Sequence, residues 1–212
     1  MKGWMESGRG GKVVLVLVSL LVLGLSAAAW AMKDQEMELT YPANPKAYGK
    51  EVVKVSPAPT PGIEVSVVRF EDSRTGKKPI TEMISLACKH VADILAKNDE
   101  QDWATDALKT ELTNAGYKAT VIPSKDQAKA KVVISASLLN VYDKAVCGVR
   151  GLQPEAAFSV VITKDGKELL NQKYTGKKSA VRANPVDDLA LSLQQAILSL
   201  VNDLNKLNLA DK

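Results

Sequence analysis

The chain contains a single histidine, His90, which stands two residues after Cys88 in the string Cys88-Lys89-His90. Cysteine and histidine so spaced suggest metal ligation, but a structural zinc takes four ligands. No second cluster at suitable spacing follows, so His90 is expected at the surface or half-buried, and neither a metal nor a cofactor is expected. Hydrolytic and redox chemistry lack their usual frames as well. There is no Gly-x-Ser-x-Gly elbow to expose a nucleophile and no Cys-x-x-Cys for thiol exchange. Gly8, Gly10 and Gly11, the nearest approach to a phosphate-binding loop, lie before a long apolar run rather than between a strand and a helix. Asp99, Glu100 and Asp102, like Asp187 and Asp188, fall where helices begin, and there carboxylates offset the positive end of the helix dipole. Trp103 reads as a packing residue. The expectation is a protein that is not an enzyme.

The elements that hold these residues start with an N-terminal segment of distinct character. Lys2, Arg9 and Lys12 face a single acid, Glu6, and Val13 to Met32 carries no charge. A basic stretch, an apolar core and a small-residue exit make a secretory signal, with Ala29 and Ala31 at −3 and −1 of a cleavage site after Ala31. About 20 uncharged residues also suffice to span a bilayer, so residues 1–31 are either a cleaved signal or a retained anchor. In both readings the bases precede the apolar run and Asp34, Glu36 and Glu38 follow it, which places the body outside the cytoplasm. The expected location is the periplasm, free or held at the inner membrane.

Residues 32–62 carry Pro42, Pro45, Pro57, Pro59 and Pro61 and are expected to form an extended tether. The remaining chain, 63–209, fits one domain. Of the net charge of +4, the first twelve residues supply about half. The lysines of the body are scattered, with little aromatic interleaving, so nucleic acid is a poor partner. Cys88 and Cys147 are either a disulfide, as a lone pair in an oxidising compartment often is, or two separate buried thiols.

Alternation predicts a strand in GIEVSVVRF. Residues 80–96 fit helix or strand equally. A helix is expected from Asn98, as cap, to Ala115, stopped by Gly116. YKATVI reads as a strand, SKDQAKA as a helical turn, and KVVISASLLNVY, apolar on both alternating sets, as a central strand. EAAFSVVIT and KELLNQKY flank Asp165-Gly166, a hairpin signal. The last helix runs from Pro185 to about Leu207 with Asn184 as cap. Leu191 and Leu198 fall outside its main apolar stripe. Either another element covers them or they dock a partner. The sum is an α+β domain, an antiparallel sheet of about four to five strands with two helices on one face.

The strings VVRFEDSRTGK, DWATDALKTELTNAGYKATV and KAKVVISASLLNVY, the Asp-Gly hairpin and the long last helix resemble the YajG-type bacterial envelope lipoproteins. Asp72, Arg74 and Thr75 look like that family's D-x-R-T turn. The fold is also similar to auxiliary lipoproteins of ABC-type lipid transport systems. This resemblance implies a small periplasmic domain tethered to a membrane, with no catalytic residues to carry over. The chain departs from both families in lacking a lipid-attachment cysteine at the end of its apolar core. Three functions are therefore weighed: an envelope protein that binds a protein partner or supports a complex, a lipid-transport auxiliary subunit, and a glycan-acting enzyme.

Overall fold

The structure is a computed structural model that describes residues 34–41, 57–74, 76, 78–147, 151–177 and 184–209. The segment holding Ala29 and Ala31, most of the proline-rich stretch and Thr75 lie outside the described residues. In chain order the elements are β1 (Gln35–Met37), β2 (Glu64–Val68), β3 (Glu71–Asp72), β4 (Thr81–Ile84), β5 (His90–Ala96), α1 (Glu100–Asn114), β6 (Lys118–Ile122), β7 (Val132–Val146), β8 (Gly151–Lys164), β9 (Lys167–Lys177) and α2 (Pro185–Leu204). A single 3-10 turn, Lys125–Gln127, separates β6 from β7.

The domain is α+β, but its sheet has nine strands and is mixed rather than antiparallel with four or five. Strands β7, β8 and β9 form an antiparallel meander. The other edge of β7 is long enough to serve three short strands in turn. β2 pairs in parallel with its start, β3 with its middle and β4 with its far end. β6 adds in parallel to β2. The ambiguous stretch 80–96 is the antiparallel pair β4–β5. Ile80 and Ile94 are buried while Leu86 at the turn is not, so the apparent helical beat comes from two separate strands.

Part of the expected tether is instead built into the domain. β1 pairs in parallel with β5, and Leu39 is buried in the core. Leu39 N donates to Asn98 Oδ1 at 2.7 Å, and Asn98 Nδ2 donates to Leu39 O at 2.9 Å. Those bonds take Asn98 out of the capping position, and Asp99 caps α1 in its place, accepting from Gln101 N and Asp102 N. Tyr41 Oη donates to Glu111 Oε1 of α1 at 2.6 Å, and Gln194 Nε2 of α2 donates to the same oxygen at 3.0 Å. Glu111 is only 1 % exposed, so one buried carboxylate ties the N-terminal segment to both helices. A short amphipathic segment held by such bonds is order that proline content alone does not reveal.

Both helices lie against the same side of the sheet. α2, capped by Asn184 with Pro185 in its first turn, packs on β8 and β9, while α1 packs on β2, β6 and α2. Leu108, Leu112, Leu193, Ile197 and Leu200 fill the space between helices and sheet. In the sheet layer, Phe158 meets Phe70 edge-on at 5.5 Å and Tyr174 at 5.9 Å. α2 approaches β9 so closely that a Cβ on Gly176 would collide with the Ser192 carbonyl oxygen. Trp103 is buried in the core, as a packing residue. Leu198 is 1 % exposed and Leu191 half-buried, so these two do not form an open docking face. Neighbouring structure covers Leu198.

One irregularity in β7 has consequences for the site. Its register against β8 slips between Leu138 and Asn140, a bulge that reverses which alternate residues face the helices. Before it, Val132, Ile134, Ala136 and Leu138 point inward; beyond it, Val141 and Asp143 do.

Candidate functional site

Chemistry-bearing side chains gather in four places. The first is the start of α1, where two arginines clamp the acidic turn. Arg74 is 3 % exposed in its side chain and bonds Asp72 Oδ2 at 2.7 Å and Glu100 Oε2 at 2.9 Å. A planar guanidinium satisfies two carboxylates at once in this way. Hydrogen bonding from Arg74 holds the Asp72 carboxyl below its ordinary range. Arg69 reaches Asp99 at 3.1 Å and also bonds Asp102. Asp72 and Arg74, singled out in the sequence, are thus brought together, and their partner is a helix rather than a ligand.

The second is the buried carboxyl Asp143, turned inward by the β7 bulge. It is fully buried, and neither side-chain oxygen has a hydrogen-bond partner. Its backbone is tied down, with Asp143 N donating to Ile80 O at 2.7 Å and Thr81 Oγ1 donating to Asp143 O at 2.6 Å. Desolvation, helped by the nearby charge of Asp188 in the first turn of α2, pushes the Asp143 carboxyl up to about 7. Asp188 is itself 1 % exposed. Two carboxyl groups close together suggest acid–base work, but these two face the core, where no substrate reaches them. Sequence reasoning missed Asp143 because strand alternation places it on the outer face.

The third is the pair of hairpin tips at one end of the sheet. Cys88, in the β4–β5 turn, and Cys147, at the end of β7, form a disulfide with Cα atoms 5.4 Å apart. Closing a loop with a sequence separation of 59 stabilises by about 4 kcal/mol in the chain-entropy account. Cys88 adopts the left-handed backbone conformation, φ 62°, which a non-glycine residue seldom takes. His90 beside it is exposed and hydrogen-bonds Asp93 at 2.8 Å, which raises its pKa. Among the described residues no group of three or more His, Cys, Asp or Glu side chains is placed to hold a metal ion.

The fourth is the face of the sheet turned away from both helices. Aligned across β7, β8 and β9, its rows read Ser135–Val161–Asn171, Ser137–Ser159–Lys173, Asn140–Ala157–Thr175 and Tyr142–Glu155–Lys177. Half of these side chains are small and polar, and all but Ala157 are half-buried or exposed. Three open clefts lie on this face. One of ≈ 870 Å³ runs over β2 and β6 beside Ser66, Lys118, Thr120 and Lys129. Another of ≈ 500 Å³ is floored by Ser135, Ser137, Ser159 and Val161. The last, ≈ 340 Å³, lies around Asn140, Tyr142 and Glu155. Lys177 bonds Glu155 at 2.8 Å and holds its carboxyl below the ordinary range. Burial, with Glu82 nearby, raises the Tyr142 hydroxyl to about 12, so it stays a neutral donor at physiological pH. A sheet with one face solvated is ordinary for antiparallel strands, and the alternation of polar residues along β8 and β9 is the signal that marks it.

No family model matches the chain, and no curated protein matches it. Among solved structures it is similar to protein XCC0632 of Xanthomonas campestris, a DUF330 protein, with 11 % identity and a TM-score of 0.49 over 80 % of this chain and 92 % of that one. It is also similar to PelC of Paraburkholderia phytofirmans, crystallised as a dodecamer, with 18 % identity and a TM-score of 0.46 over 70 % and 95 %. A lipoprotein of Neisseria meningitidis matches with 11 % identity and a TM-score of 0.37 over 68 % and 99 %.

Proposed function

We propose that the chain is a non-catalytic protein of the bacterial cell envelope, working outside the cytoplasm, that binds a protein partner through the helix-free face of its sheet. The observation that carries this reading is the contrast between the two faces. Beneath the helices Glu111, Asp143 and Asp188 are buried, and at the start of α1 Arg69 and Arg74 are committed to carboxylates. The opposite face keeps exposed hydroxyl, amide and lysine side chains beside three open clefts. The export segment read from the sequence and the Cys88–Cys147 disulfide both favour an oxidising compartment.

A lipid-transport auxiliary subunit would need an apolar groove between helix and sheet. There Leu108, Leu112, Leu193, Ile197 and Leu200 are packed to zero exposure, which speaks against that reading. A glycan-acting enzyme would need two carboxylates opposed across a cleft, and Asp143 and Asp188 sit in the core instead. The test is crosslinking in intact cells with wild type and with Ser159→Arg, which puts a bulky cation at the centre of the open face. A reproducible protein adduct that is lost in the variant supports the reading. Absence of any protein adduct, or an adduct indifferent to Ser159→Arg, refutes it.

A further inference from the structure

The β4–β5 hairpin is fixed to the rest of the sheet at its base and at its tip, by unlike means. At the base, Ile80 and Ile94 are buried in the core, and β1 pairs with β5 from Ile94 to Ala96. There β4 meets β7 at one position, Thr81 opposite Asp143. Asp143 N donating to Ile80 O and Thr81 Oγ1 donating to Asp143 O bracket that position. Beyond it β4 and β7 run on in the same direction with no further ladder pair between them among the described residues, although Glu82 lies beside the Tyr142 hydroxyl. β7 meanwhile stays paired with β8 through Val146. At the tip the Cys88–Cys147 disulfide joins hairpin and strand again.

That bond lies outside the core. Cys88 and Cys147 are both exposed, Met83, Ile84 and Ser85 are half-buried, and Leu86 to His90 are exposed. The turn closes by its own backbone, with Cys88 N donating to Ser85 O at 2.9 Å and Ser85 N to Lys89 O at 2.8 Å. A three-residue hairpin loop takes its last residue in the left-handed region, which glycine suits best. Cys88 stands at that position with φ 62°. The cross-link thus occupies a place where the turn by itself favours glycine. Exposed disulfides are the ones open to thiol attack and readily reduced.

We propose that Cys88–Cys147 is a redox latch: exchange with an external dithiol frees the hairpin tip, and the hairpin swings on its base at Ile80 and Thr81. The swing uncovers the edge of β7 at 144–146 while the core stays folded. In the first step a thiolate of the dithiol attacks one sulfur of the pair, the S–S bond breaks and the other sulfur leaves as a thiolate. The dithiol's second thiol then displaces the attacked cysteine and closes a disulfide of its own. Two electrons pass to the protein, the dithiol is oxidised, and its two protons end on Cys88 and Cys147. The latch goes beyond partner binding through the sheet face and does not rest on it.

The test exposes the full chain, in mild detergent, to dithiothreitol under native conditions. Free thiols are counted by alkylation and mass spectrometry, and amide exchange is read before and after. Reduction should proceed in proportion to dithiothreitol and be unchanged by low urea, because the folded protein is attacked directly. Exchange over 82–93 and 144–147 should then rise by roughly tenfold or more, as for a segment that opens by itself, with both helices and β8 unchanged. Oxidised glutathione should reverse both effects. Reduction that accelerates with urea, a rise in exchange across the whole domain, or unchanged exchange over 82–93 overturns the latch. Cys88→Gly gives the unlatched state without reductant and suits the turn, so it should fold and show the same local rise. A Cys88→Gly protein that exchanges like the oxidised wild type, or fails to fold, overturns the latch as well.

Discussion

Replacing Asp143 with Asn isolates the most unusual ionisable group in the fold. The folded-state pKa near 7 against an ordinary value of 3.8 means that folding binds a proton between those limits. The unfolded chain ionises first as pH rises, so stability falls from about pH 4 to pH 7 and then levels off. At 1.36 kcal/mol for each pH decade, the loss amounts to roughly 4 kcal/mol. Three other carboxyls act in the opposite sense. Asp72, Glu155 and Asp203 are held low by Arg74, Lys177 and Lys206, so their contributions are present above the ordinary carboxyl pKa and are lost only as pH falls through the lowered values. His90, raised by its bond to Asp93, shares the sign of Asp143, contributing stability at low pH that fades as pH rises through its folded value. The comparison is therefore made in a His90→Asn background. Urea unfolding followed by circular dichroism at half-unit steps from pH 4.5 to 8 should show a declining stability in that background and a nearly flat one after Asp143→Asn is added. The Asn amide has its own unmet hydrogen bonds, which shift the whole curve by about 1–3 kcal/mol without tilting it. Parallel curves for the two proteins would refute the claim that Asp143 is a desolvated carboxyl.

Arg74→Gln should destabilise by about 3 kcal/mol, because it strands Asp72 and Glu100 beside a side chain that bears no charge; Arg74→Lys should restore only part of the loss in the same urea assay. Gly176→Ala should cost about 3 kcal/mol or abolish folding, since the new methyl meets the α2 backbone rather than a movable side chain. Tyr41→Phe should cost about 2 kcal/mol by removing a hydrogen bond to the buried Glu111 carboxylate. Amide exchange in Gln35–Met37 should accelerate in the same variant, and unchanged exchange there would show that Tyr41 does not hold the N-terminal segment in place.

Much of this architecture follows from local pattern alone. Alternation marks β2, β7, β8 and β9, because each buries one face or both. Asn184-Pro185 and Gly116 mark helix ends, and Asp165-Gly166 marks a turn whose residues have φ of 51° and 79°, since these are properties of a few neighbouring residues. The basic-then-apolar N-terminus is likewise a matter of composition. What local pattern cannot encode is partnership at long range. β1 is three residues long and acquires strand character only against β5. The stretch 80–96 divides into two strands because β7 has a free edge to receive β4, and Asn98 gives up its cap because Leu39 arrives from 59 positions away. Cys88 and Cys147 had equal claims to be joined or apart until the β4–β5 turn came to lie beside the end of β7. Asp143 is the sharpest case. Alternation sends it outward, and a one-residue bulge, visible only in the pairing of β7 with β8, turns it into the core, where desolvation and Asp188 decide its protonation.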